Sequence, residues 1–179
     1  MKKAIKAILL MLTVATAANA QQKIGYLNAQ AILADMTEMK AADSQLEAFA
    51  KQLTAKDSLM VIAFQTKVQK LQDDQQKGTV APIALEAEKK KLETEKGEIE
   101  AFEQKMQQDL AERRKTLYQP VLDKVNKAIQ DVAKEQAFTY VVDLTAGSLL
   151  YADEKNDLQN AVRAKLGLPA VAVTPVGKN

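Results

Sequence analysis

The chain has 179 residues, with 25 Lys and Arg against 23 Asp and Glu, and contains neither histidine nor cysteine. Missing imidazoles and thiols remove the usual zinc ligands, the commonest general base and every disulfide, so stability must come from packing or association. Lys2, Lys3 and Lys6 sit in a leader without acids; taking 3 from 25 leaves 22 basic against 23 acidic residues, net −1, so the overall charge is no evidence for nucleic-acid binding, which would want a basic face.

Residues 1–20 read as a cleavable export signal: a basic start, an apolar stretch from Ala7 to Ala18, and the small-x-small site Ala18-Asn19-Ala20, leaving Gln21 first. An uncleaved anchor is the poorer reading, because an apolar stretch of about 12 residues falls short of the ~20 that span a bilayer.

Lys23-Ile24-Gly25-Tyr26-Leu27-Asn28 predicts a first strand, with Asn28 capping a short helix from Ala29 to about Asp35. Met36 to Met39 joins it to a long helix, about Lys40–Lys77, in which Leu46, Phe49, Leu53, Met60, Phe64 and Leu71 form one apolar seam. Gly78-Thr79-Val80-Ala81-Pro82 interrupts it, with glycine just past one helix and proline opening the next. The second helix, about Pro82–Gln136, continues the seam through Leu85, Leu92, Ile99, Phe102, Met106, Leu110, Leu117, Val121, Val125, Ile129 and Val132. Folding back at residues 79–80 brings Met60 near Ile99 and Leu53 near Met106, an antiparallel coiled coil with arms ~55–80 Å long. Gly97 and Pro120 are expected flex points, since glycine weakens a helix interior and proline removes a hydrogen bond and kinks it.

Phe138 to Asp143 predicts a second strand and Ser148 to Ala152 its hairpin partner across Leu144-Thr145-Ala146-Gly147. A last helix, near Asp157 to Lys165, should be capped by Asn156 or Asp157 and ended by Gly167; a mobile tail follows, residues 168–179. The fold class expected is therefore α+β. A strand-bearing body (residues 21–39 and 120–167) carries a helical hairpin arm (40–119) with its tip near 78–82. That body, about 67 residues with three short strands, is near the lower limit for a self-sufficient core, so self-association is the natural remedy. The residues expected to build it are Ile24, Tyr26, Leu27, Tyr140, Val141, Val142, Leu150 and Tyr151.

Asp143, Asp153 and Asp157 superficially form an acidic cluster, but each stands where a strand ends or a helix begins, where aspartate serves turns and caps. Gly177-Lys178 lacks the upstream glycine of a phosphate-binding loop, because position 172 is alanine. No catalytic set, metal site or cofactor is expected. Lys67, Lys70, Lys77, Lys89, Lys90 and Lys91 gather toward the hairpin tip, where they read as solvated helix faces or as a client-facing surface that steers acidic partners or a membrane surface.

Taken in order around the hairpin, Lys23-Ile24-Gly25-Tyr26-Leu27-Asn28, Tyr140-Val141-Val142-Asp143, Leu150-Tyr151-Ala152-Asp153 and Asn156-Asp157-Leu158 resemble one family, the Skp/OmpH periplasmic chaperones of outer-membrane proteins. The resemblance implies a periplasmic homotrimer whose body is completed by strands from three subunits. Three tentacles then surround a cavity for unfolded outer-membrane proteins, held without ATP and without nucleic acid. Better-known members are markedly basic, whereas this chain without its leader is nearly neutral. The competing reading is a structural coiled-coil adaptor or spacer of the cell envelope, which predicts a rigid arm and one specific partner.

Overall fold

Strand β1 (Ile24–Leu27) is shaped by what its glycine leaves out. A Cβ on Gly25 would lie 2.3 Å from Leu158 Cδ1 and 3.0 Å from Phe138 Cδ1, so only a bare backbone lets these two side chains close on the strand. These positions belong to a computed structural model that describes residues 22–147 and 149–172; the expected signal, residues 1–20, lies outside them. The chain divides into two compact units, one running to Met36 and resuming at Leu122, the other Thr37–Val121.

In the first unit, Asn28 caps helix α1 (Ala29–Asp35), its side chain accepting from the Ala31 amide at 2.8 Å. Only Met36, extended and buried, separates α1 from the long helix α2 (Thr37–Lys77), so the linker is shorter than the four residues expected. Strand β2 (Tyr140–Asp143) pairs with β1 in parallel, Ile24 opposite Tyr140 and Leu27 opposite Asp143. A parallel pair needs a long crossover, and the helical hairpin lies within it.

The hairpin expected after β2 does not form. Asp143 accepts from the amide and hydroxyl of Thr145 at 3.0 and 2.7 Å, which winds Leu144–Ala146 into a single 3-10 turn instead of a reversal. Leu149 to Ala152 are not in a strand, and Ser148 lies outside the described residues. Leu150 and Tyr151 are 88% and 77% exposed. Instead, Asp157 bridges to Tyr26, and the Leu158 amide donates to Tyr26 O at 2.9 Å.

Helix α4 (Gln159–Lys165) starts where Asp157 Oδ1 accepts from the Gln159 amide at 2.7 Å and ends at Gly167, φ 73°. Tyr26, Leu27, Ile32, Met36, Val125, Ala128, Val132, Phe138, Leu158 and Val162 form the core of this unit, all at most 9% exposed. Each large aliphatic among them contributes roughly 1.5–3 kcal/mol. The tail expected to be free from residue 168 is instead tied down over its first residues. Arg163 Nε donates to Pro169 O at 2.6 Å, and the Asn160 amide exchanges two 2.9 Å hydrogen bonds with the backbone of Val171.

The second unit is the antiparallel hairpin of α2 (Thr37–Lys77) and the arm portion of α3 (Pro82–Glu135). Gly78, φ 64°, ends α2, and Ala81 O accepts from the amides of Ala84 and Leu85 as Pro82 opens α3. Pairs symmetric about residues 79–81 fix the register: Lys67 with Glu95, Lys56 over the Phe102 ring at 4.7 Å, and the Tyr118 hydroxyl donating to Asp43 at 2.5 Å. The seam residues of this unit, Leu46 to Leu71 and Leu85 to Leu117, are mostly half-buried, as expected where two helices cover only one side of each other, whereas Val125 and Val132 are buried in the core of the first unit. Helix α3 runs unbroken through both Gly97 and Pro120.

Together these parts form an α+β chain, mostly helical, with a long helical hairpin and a two-stranded sheet.

Candidate functional site

No single convergent cluster dominates the molecule, and among the described residues no group of acids could hold a metal ion. Asp143, Asp153 and Asp157 each accept from a backbone amide two residues on, with Asp143 also taking the Ala29 amide at 3.2 Å. Burial raises the Asp143 carboxyl, but the Thr145 and Ala29 hydrogen bonds outweigh it and hold the group below the ordinary aspartate value.

The basic residues toward the tip divide into two sets. Lys67 pairs with Glu95 across the hairpin, Lys89 with Glu86 at 2.8 Å, and Lys91 with Glu88 at 3.1 Å. Lys70, Lys77 and Lys90 are exposed and, among the described residues, in no ion pair. Half of the lysines are therefore compensated locally, and surface pairs of this kind contribute about 0–1 kcal/mol each. A recess of about 400 Å³ near the tip combines Lys67, Lys70 and Glu88 with Leu71, Val80 and Leu85. Nearer the other end of the arm, Leu46, Ala50, Met106 and Leu110 line a groove of about 530 Å³ rimmed by Asp43 and Arg114.

Three apolar residues escape the seam argument. Leu59, Ile62 and Ile83 are 69%, 58% and 83% exposed, scattered on the outer faces of the hairpin. The signal was present in the sequence as apolar residues off the seam spacing, beside Met60, after Val61 and after Pro82. The outer faces of the hairpin thus present a mixture of short apolar and charged side chains.

The residues assigned to the body also separate. Tyr26 and Leu27 are buried within their own unit, Val141 and Val142 are half-buried, and Ile24 and Tyr140 are 48% and 54% exposed. Burial, and then the nearby Asp157, Glu154 and Asp153 carboxylates, push the Tyr26 hydroxyl pKa up. With Leu150 and Tyr151, the exposed members give this unit large apolar side chains that the other described residues do not cover. Among the described residues, no helix is long and apolar enough to cross a membrane.

The profile of a family described as "Outer membrane protein (OmpH-like)" matches residues 23–166, from the start of β1 to the end of α4. The chain belongs to the OmpH-like family. No curated protein matches it in sequence. In structure it is similar to an OmpH-like protein of Caulobacter crescentus CB15, described as a candidate outer membrane chaperone, with a TM-score of 0.69 at 20% identity, covering 89% of this chain and 94% of that one. At that identity the likeness establishes the shared OmpH-like fold: sheet, helical hairpin and closing helix.

Proposed function

We propose that this OmpH-like chain is an ATP-independent holdase of the periplasm, exported by a signal cleaved after Ala20, which binds unfolded outer-membrane proteins and prevents their aggregation. The observation that carries the reading is the OmpH-like match, which takes in the sheet and both long helices together. The arm's physical character supports it. A half-open seam, dispersed exposed apolar residues and locally balanced lysines provide many weak contacts rather than one site, and such contacts add when several engage one client. Self-association into a homotrimer is part of the same proposal, and the exposed Ile24, Tyr140, Leu150 and Tyr151 support it as apolar surface for a neighbouring copy. If the chain also touches a membrane surface, the exposed Ile83, Lys70, Lys77 and Lys90 toward the tip are the side chains we assign to that contact.

A second reading, the rigid envelope spacer, is favoured by the continuity of α3 through Gly97 and Pro120. One experiment separates them. Light scattering of a urea-unfolded outer-membrane barrel, diluted without ATP, should stay low when the protein is present, and sedimentation of the free protein should give three times the chain mass. Unchanged aggregation would remove the holdase reading, and a stable monomer at micromolar concentration would remove the trimer.

A further inference from the structure

The first residues beyond α4 are held in an unusual way. Asn160 Nδ2 donates to Val171 O and Asn160 Oδ1 accepts from the Val171 amide, both at 2.9 Å, so one side-chain amide imitates a neighbouring strand. Two residues earlier, Pro169 O accepts from Arg163 Nε at 2.6 Å. Arg163 is only 2% exposed, and its Nη1 is fixed by Asp35 Oδ2 at 2.6 Å, so this donor is held in place. Pro169, Ala170, Val171 and Ala172 remain exposed, which means the segment is gripped by its backbone and hardly by its side chains.

Beneath it lies a cavity of about 360 Å³, lined by Tyr26, Asn28, Asp35 and Arg163 and bordered by Val171 and Ala172. Tyr26 is 2% exposed, and among the described residues its buried hydroxyl has no hydrogen-bond partner. An unpaired buried hydroxyl is costly, at about 1–3 kcal/mol.

We propose that Asn160, Arg163 and the Tyr26 cavity form a seat for an extended polypeptide backbone, occupied in cis by residues 168–172 and open to an extended segment of an unfolded chain when that strap leaves. Because the recognised atoms are backbone N–H and C=O groups, the seat accepts extended segments of varied sequence. This includes apolar ones containing proline, as its present occupant Leu168-Pro169-Ala170-Val171-Ala172 does. The strap is tethered immediately after α4, at an effective concentration of about millimolar, so a free peptide competes poorly while a multiply held client competes well. The seat deepens the holdase reading by naming one client contact outside the arm, but its test uses a peptide alone and does not depend on chaperone activity.

In the full chain, residues 168–172 are replaced by a glycine-serine sequence, and an end-capped peptide Leu-Pro-Ala-Val-Ala is titrated while nuclear magnetic resonance follows the Asn160 side-chain amide and Tyr26. Saturable binding is expected to the replaced chain and at least about tenfold weaker binding to the natural one. N-methylation of the peptide valine, or Asn160→Ala in the replaced chain, should each weaken binding about tenfold, the scale of one lost hydrogen-bond pair. No saturable shift in a replaced chain that still melts cooperatively, or equal binding by the N-methyl peptide, would overturn the proposal. Should the replaced chain not fold, the natural chain decides. Its Val171 amide should be protected from hydrogen exchange and lose that protection in Asn160→Ala, and an unprotected Val171 would overturn the seat.

Discussion

At the residue scale, Gly25 and Asp143 do the most with the least. Any side chain on Gly25 meets the end of the Leu158 side chain, which is itself fully buried. Gly25→Ala should therefore destabilise the body by about 1–3 kcal/mol in chemical denaturation, as overpacking does elsewhere; an unchanged midpoint would mean that Leu158 can repack freely. Asp143 links the end of β2 to the 3-10 turn and to the start of α1 through its carboxylate. Its folded-state pKa is lowered, so the stability it contributes is present above the ordinary aspartate value and is lost as pH falls through the folded-state value. Asp143→Asn should accordingly flatten the loss of melting temperature on acidification, while leaving a protein less stable near neutral pH. Parallel acid profiles for the two proteins would show that other carboxylates carry the effect.

At the element scale, the arm is defined by what interrupts its seam. Between Leu53 and Met60 the heptad spacing lands on Asp57, half-buried with its Oδ1 lacking a hydrogen-bond partner. Replacing this carboxylate with an apolar side chain should raise the stability of the hairpin by about 1–2 kcal/mol, so Asp57→Leu is expected to melt higher by circular dichroism. A lower melting point would mean that Asp57 is partnered in solution. Gly97 is interrupted in a different sense: its helix is continuous, and a Cβ there would meet nothing within 4 Å. Packing does not require glycine at this place, and Gly97→Ala should stabilise the arm by about 1 kcal/mol through helix propensity alone. If the same variant also protects clients less well in light scattering, compliance at residue 97 belongs to the mechanism; full protection would make the glycine incidental.

At the scale of the whole molecule, the proposed holdase depends on the length of the arms and on many small contacts. Shortening both sides of the tip together, by removing Lys70–Lys77 and Pro82–Lys89 around a retained glycine turn, should weaken client protection several-fold while sedimentation still reports the same number of subunits. Lys90→Glu alone should change protection little, because one exposed charge contributes about 1 kcal/mol or less to a distributed contact. The reverse pattern, with loss on Lys90→Glu and full activity in the shortened arms, would replace the distributed contact by a discrete partner site.

The local chemistry of the chain was enough to determine the elements whose causes are themselves local. Asn28 announces the start of α1, Gly78 and Pro82 bracket the tip, and a seven-residue apolar rhythm sets the two long helices and their register. Only the tertiary structure decided which segments lie against β1, because strand pairing joins residues more than a hundred positions apart and leaves no periodic trace. Leu150-Tyr151 had the composition of a strand, yet Asp143 turned the backbone away and Asp157-Leu158 took the edge of Tyr26. The seat at Asn160 and Arg163 was invisible for the same reason. Its donors and acceptors are ordinary side chains on a short helix, and they acquire meaning only when the chain returns as residues 168–172 and presents its backbone to them.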